Sequence, residues 1–312
     1  MKNTIPTLQK FSKIALSLLG ALAISIPSAS AINIGVTPPR LEVKINSNKT
    51  RTETIRVLNL ASEPVTLKAT VKSWAMNEDN KAQDIASNEQ SLDQWIVFTP
   101  SQFTIPPGGA QTIRFAIRPK VQPQPGEHRA VLYLQEVSPV SPIKSSQGVR
   151  VNAQLGVVIY GYVGEIKKIG VLNSITVDAK PNALKAVFDI TNKGNAYVRL
   201  SGQYAIWPAA QYPGIEATKP IANTGKPGEK LPKSVLDVGS LPSLPVLPNN
   251  TRQLHLPITK TLPPGNYVLD INGELSGVPI DKGIPFTVTA ANNNQSGNKP
   301  GGKNLINSLH RK

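Results

Sequence analysis

At 312 residues the chain is long enough for two domains of ordinary size, and with no cysteine it must hold their cores together without disulfides or thiolate metal ligands. Its formal net charge is +15, or +12 once Lys2, Lys10 and Lys13 are set aside. The basic residues are scattered and no basic run is interleaved with aromatics, so the charge reads as a solvated surface and a nucleic-acid partner is not expected.

Those three lysines precede an apolar run from Ile14 to Ile26, which closes on the small residues Ser28-Ala29-Ser30-Ala31. This is the pattern of a cleavable signal peptide over residues 1–31, and it implies export to the periplasm. No later stretch approaches the roughly 18 consecutive apolar residues of a membrane span, so none is expected.

From Ile32 to Val163 short runs alternate apolar and polar residues between Pro, Gly and Asn punctuation. Period-2 alternation is the signature of half-buried antiparallel strands. Strands are expected over Ile34 to Ile45, Glu53 to Leu60, Val65 to Trp74, Trp95 to Thr99, Gln111 to Arg118, Ala130 to Val137 and Val149 to Tyr160. The polar stretch Met76 to Gln94 breaks the rhythm and has room for an insertion or a short helix. A second series follows at Ser174 to Asp178, Leu184 to Thr191, Tyr197 to Trp207, Gln253 to Thr259, Gly265 to Leu275 and Ile284 to Ala290. Between Ala209 and Pro248 the density of Pro, Gly and Lys favours a long surface connection, because Pro removes a ladder donor and Gly loosens the backbone. Residues 291–312 carry little apolar content and read as a disordered tail. The expected fold class is therefore all-β: two immunoglobulin-like β-sandwich domains after a signal peptide, the first over 32–162 and the second over 163–290.

Catalytic chemistry finds no foothold. His128, His255 and His310 stand far apart, so a metal site is not expected, and there is no Gly-rich phosphate loop, nucleophile elbow or spaced carboxylate pair. Neither an enzyme nor a cofactor is implied.

Three motifs in order carry a family resemblance. The first is Val36-Thr37-Pro38-Pro39-Arg40-Leu41-Glu42-Val43, and the second runs from Phe98-Thr99-Pro100 through the turn Pro106-Pro107-Gly108-Gly109 to Arg114. The third is Pro125-Gly126-Glu127-His128-Arg129 leading into Ala130-Val131-Leu132-Tyr133-Leu134. Each has a local reading of its own: the Pro-Pro-Gly turn fixes the register of its flanking strands, and Arg129 can tie a loop to Glu127 by charge-assisted hydrogen bonds. Together they resemble the periplasmic pilus-assembly chaperones, the PapD-like proteins.

That resemblance implies a function and a site. The last strand of the first domain, with Val149, Val151, Ala153, Leu155 and Val157 alternating along it, would be the donor strand lent to an incomplete pilus or surface subunit. An exposed edge would supply main-chain hydrogen bonds while alternate apolar side chains fill the subunit's groove. The loop Val140 to Gly148, with its Pro, Ser and Lys, suits a strand that extends on contact. Periodicity alone equally allows the strand to complete its own sheet and bury that face. The family also grips the subunit's terminal carboxylate with two basic residues in the cleft between its domains. Arg40 matches the first of these by its place after Pro-Pro, and a guanidinium can hold a carboxylate bidentately. The second has no counterpart by motif: Val157 and Val158 occupy its place, Arg150 lies earlier on the strand and Lys167 and Lys168 lie later. Self-association through the same edge strand is a further expectation. A rival reading keeps the two sandwiches but makes them modules of a structural or adhesive envelope protein, with the basic surface binding an anionic polymer.

Overall fold

The computed structural model describes residues 33–46, 49–137, 154–180, 183–222 and 231–290. The expected signal peptide, the loop Val140 to Gly148 and the tail 291–312 lie outside the described residues, as do Val149, Val151 and Ala153. Among the described residues no helix is long and apolar enough to cross a membrane.

The first sandwich comprises β1 (Ile34–Thr37), β2 (Arg40–Ile45), β3 (Arg51–Asn59), β4 (Val65–Lys72), β5 (Trp74–Met76), β6 (Ala82–Asp84), β7 (Ile96–Thr99), β8 (Gln102–Ile105), β9 (Ala110–Ile117), β10 (Gly126–Glu136) and β11 (Gln154–Val163). One sheet runs in the order β1-β3-β9-β7 and the facing sheet β2-β11-β10-β4-β8, with β5 and β6 forming a separate hairpin. Alternation explains the packing. In β3, Ile55 and Val57 point inward while Thr54 and Arg56 face solvent, and in β9 Ile113, Phe115 and Ile117 meet them across the sheet interior. Leu132 and Leu134 of β10 and Ile159 of β11 close the core from the other sheet. Each such side chain stabilises the fold by about 1.5–3 kcal/mol of transfer free energy.

One expectation is corrected here. The single strand over Ile34 to Ile45 is two strands in different sheets: β1 pairs with β3, whereas β2 pairs in parallel with β11. Pro38 and Pro39 sit at the crossing, where a residue without an N–H cannot continue a ladder. The polar stretch Met76 to Gln94, expected to have room for an insertion or a short helix, carries most of the β5–β6 hairpin and the start of a short 3-10 helix at Leu92–Trp95.

The expected Pro-Gly turn is present. Gly108 takes φ +66°, a conformation that suits glycine, and Gly109 donates to the Pro106 carbonyl at 2.9 Å. Buried Asn59 ties this turn to the sheet: its side-chain amide donates to the carbonyls of Glu63 and Ile105 at 2.7 and 3.0 Å, and its side-chain oxygen accepts from the Ala61 N–H.

The second sandwich comprises β12 (Gly170–Lys180), β13 (Ala183–Asn192), β14 (Val198–Pro208), β15 (Asp237–Ser240), β16 (Pro245–Val246), β17 (Thr251–Ile258), β18 (Gly265–Leu275) and β19 (Val278–Val288). Its sheets run β12-β13-β17 and β15-β14-β18-β19, with β16 also on β14. Buried Asn192 repeats the device of Asn59, donating to the Ala196 and Val246 carbonyls at 2.8 Å and accepting from the Gly194 N–H. The connection expected over Ala209 to Pro248 is shorter than foreseen, because it contains β15 and β16. Its first part is pinned by the hydroxyls of Tyr212 and Thr218, which both donate to buried Asp270.

Candidate functional site

Strand β11 has two unlike halves. On one side it pairs with β10 along its whole length, from Gln135↔Gln154 to Gly126↔Val163. On the other side β2 covers only Val158 to Val163, starting from Arg40↔Val158. Extending that parallel register backwards would place Pro39 opposite Val157 and Pro38 opposite Gly156, and neither proline has an N–H to give. At Thr37 the chain already belongs to the other sheet, paired with Arg56. Among the described residues the Gln154–Val157 edge therefore has no partner strand on that side.

The side chains of β11 sort by parity. Val157 and Ile159 are buried in the first core, and Leu155 packs half-buried against it at the mouth of the sandwich. Val157 is thus occupied by its own domain: of the expected donor-strand side chains that are described, Leu155 alone is only partly buried. Gly161 continues the inner row, where a Cβ would come within 2.3 Å of the Ile45 side chain. The outer row, Val158, Tyr160 and Tyr162, faces the junction between the domains. Tyr160 joins Trp74, Met76 and Val131 of the first domain and Tyr197 and Leu247 of the second in one buried apolar cluster. The Tyr160 and Tyr197 rings lie 4.4 Å apart, within ring-stacking range.

Arg40 opens β2 as an exposed residue, and its Nε lies 3.2 Å from Glu42 Oε1. Alternation puts both on the outward face of the strand. Glu42 also accepts hydrogen bonds from Tyr197 at 2.5 Å and Tyr162 at 2.9 Å, and Lys168 Nζ stands 3.6 Å from its other oxygen. Burial alone would raise the Glu42 carboxyl. The two hydroxyls and the Lys168 and Arg40 charges outweigh burial and hold it below the ordinary carboxylate range. Conversely, burial and the hydrogen bond to Glu42 push the Tyr197 hydroxyl up to about 12.

Glu127 makes a second joint. Its buried carboxylate takes Arg129 Nη1 at 2.9 Å, the pairing expected from the sequence, and also the backbone N–H of Tyr197 at 2.7 Å. Burial dominates here and leaves its carboxyl above the ordinary value. A third joint lies at the β5–β6 hairpin, where Arg252 donates through Nη2 to the Met76 carbonyl at 2.7 Å and through Nη1 to that of Asn77, and Asn80 donates to the Gln253 carbonyl at 2.7 Å.

Residues 35–159 match the model of the pili and flagellar-assembly chaperone family, PapD N-terminal domain. The first domain is PapD-like. The match spans both Arg40 and the open edge of β11, so the two features expected from the resemblance fall inside the PapD-like domain. No curated protein matches the chain in sequence. Among solved structures, the chain is similar to the Escherichia coli chaperone DraB at 14% identity, with 84% of this chain and 100% of that one covered and a TM-score of 0.37. Comparable figures hold for the Pseudomonas aeruginosa CupB2 chaperone, at 14% identity, 81% and 99% coverage and a TM-score of 0.38. The CsuC–CsuE chaperone–tip adhesion subunit complex of Acinetobacter baumannii gives 14% identity, 82% and 98% coverage and a TM-score of 0.39.

Sequence reasoning singled out Arg40 but not its partners. Glu42 carried a local signal, being two residues from Arg40 on the same strand face. Lys168 stood out only as a basic residue beyond the strand that no motif carries over, and Tyr162 and Tyr197 carried no signal, because only the meeting of the two domains brings them together. Among the described residues no group of three or more His, Cys, Asp or Glu side chains is placed to hold a metal ion.

Proposed function

We propose that the protein is an exported periplasmic chaperone that binds fimbrial or other surface subunits by lending them the open edge of β11, without nucleotide or cofactor and without catalysis. The observation that carries this reading is the half-covered strand inside the PapD-like domain. Gln154–Val157 offers main-chain donors and acceptors on one side, and the inner apolar row emerges from the core at Leu155. An added strand would gain backbone hydrogen bonds along that edge and place alternate side chains against Leu155. The client's own folding would supply the free energy. Such an edge would also pair with a second copy of the chain when no client is present.

The position of Arg40 follows from the same geometry. A strand added to the open edge must stop where β2 begins, at Arg40↔Val158. If it runs parallel to β11, as β2 does, its carboxyl end arrives beside the guanidinium, and Arg40 serves as the carboxylate anchor.

The test is retention of a subunit by the purified protein from a periplasmic extract at high salt, comparing wild type with Leu155→Glu and Arg40→Ala. Strand lending predicts salt-resistant one-to-one capture that Leu155→Glu abolishes while the variant stays folded by circular dichroism. Capture that disappears as salt rises, or that both variants preserve, would replace this reading with the envelope-module alternative.

A further inference from the structure

The junction already holds a carboxylate. Each oxygen of Glu42 has one hydroxyl and one cation: Oε1 takes Tyr197 at 2.5 Å and Arg40 at 3.2 Å, and Oε2 takes Tyr162 at 2.9 Å and Lys168 at 3.6 Å. These donors come from β2, from β11, from the segment entering the second domain and from the residue before β14, so the cradle exists only when the two domains meet. A further cation lies at its border. Arg199 lies 5.3 Å from the Tyr197 ring centroid, its buried Nε has no hydrogen-bond partner, and it forms no ion pair among the described residues. Arg40 and Lys168 thus both stand on Glu42, and Glu127, the other carboxylate at the junction, is paired with Arg129.

Glu42 is at the same time free to leave. Its side chain is 30% exposed, and its backbone is held in register with Tyr160 independently of where the carboxylate lies. Rotation about the side-chain torsions would carry the carboxylate into solvent without moving β2. We propose that Glu42 is an internal placeholder in a carboxylate-binding cradle, and that the terminal carboxylate of a bound polypeptide displaces it onto Arg40 and Lys168. This rests on the reading of β11 as a lent strand, which delivers a chain end to Arg40. It adds that the second basic group comes from Lys168, beyond the strand, and that the empty protein competes with its own client. Binding and release are then set by a difference between two carboxylates, which favours exchange over permanent capture.

The test uses the purified protein and an acetylated Val-Thr-Val-Thr-Tyr peptide with either a free carboxylate or an amide at its C-terminus, titrated by calorimetry. Glu42→Gln keeps the side chain's shape and removes its charge. It should tighten binding of the carboxylate peptide by about fivefold or more, leave the amide peptide unchanged, and lose the gain when Lys168→Met is added. Equal effects on the two peptides, no tightening, or a gain indifferent to Lys168 would overturn the proposal. Should Glu42→Gln fail to fold, Glu42→Asp retracts the carboxylate by one methylene and must tighten the carboxylate peptide in the same direction by a smaller factor. Unchanged or weaker binding there overturns the proposal as well. Leu155→Glu separates the two readings: if neither peptide responds to it, strand lending fails while the carboxylate and amide arms still decide the cradle. If Leu155 matters and Glu42 does not, the placeholder fails alone.

Discussion

The two halves of β11 share an inward apolar row and have different fates. From Val158 onward the strand is paired on both sides, and Ile159 is fully buried; from Gln154 to Val157 one edge is open, and Leu155 sits half-buried at the mouth of the core. Both halves send an apolar row inward, Leu155 and Val157 in one and Ile159 in the other, while the outer row changes from Gln154 and Gly156 to Val158, Tyr160 and Tyr162. What leaves one edge open is Pro38-Pro39 before the neighbouring strand, where β2 can begin no earlier because two backbone donors are missing and the chain comes from the other sheet. An open edge in this domain is the work of its neighbour's sequence.

The largest effect should come from testing that contrast directly. Ile159→Ala removes a fully buried side chain and should destabilise the protein by about 2–4 kcal/mol in urea unfolding. Leu155→Ala, four residues earlier on the same face, should cost about 1 kcal/mol because its site is only partly enclosed. Equal losses would mean that the two halves are equally part of the core. For client capture the order should reverse, with Leu155→Glu abolishing it. A carboxylate forced against an apolar groove costs several kcal/mol, far more than tenfold in affinity.

A subtler change should erase the contrast. With Pro38→Thr and Pro39→Val, β2 regains two donors and can extend opposite Gly156 and Val157. Hydrogen exchange at the amides of residues 154–157 should slow by about tenfold, and client capture should fall although β11 itself is untouched. Unchanged exchange and capture would show that the prolines do not set the edge.

How much of this was legible beforehand depended on whether a feature is local. Alternation marked most strands, and Pro106-Pro107-Gly108 marked its turn, because the causes lie within a few residues. The switch between β1 and β2 was written in Pro38-Pro39 and in a change of parity, from Ile34 and Val36 to Leu41, Val43 and Ile45, but was absorbed into one long strand because apolar and polar residues alternate on both sides of it. The β5–β6 hairpin escaped because Ala82, Gln83 and Asp84 are exposed and carry no apolar row, and β15 and β16 are too short to show a period. At the site, Arg129 with Glu127 and the placement of Arg40 were foreseeable from neighbours in sequence. The hydrogen bond from Tyr197 to Glu42 spans 155 positions, and the Arg252 bond to the Met76 carbonyl spans 176. Nothing in a local pattern encodes such pairs; they follow from how the domains meet.

The smallest effect expected is a pH dependence in which the two carboxylates at the junction, both beside the covered half of β11, oppose each other. Glu42 is held below its ordinary value, so its contribution to stability is present above the ordinary carboxyl range near 4.5 and is lost as pH falls through its depressed value. Glu127 is held above its ordinary value, chiefly by burial. Its contribution is therefore full below about 4.5 and is lost as pH rises through the raised value. Glu42→Gln should flatten the acid side of the stability profile, and Glu127→Gln the side above 4.5. Because the Glu42 carboxylate is partly exposed, its arm should shrink with added salt, whereas that of buried Glu127 should persist. The two profiles, measured by urea unfolding between about pH 3 and 7, therefore separate the half-open cradle from the buried joint behind it. Identical salt responses would mean that Glu42 is as enclosed as Glu127, and a carboxylate so enclosed could not give way to a ligand.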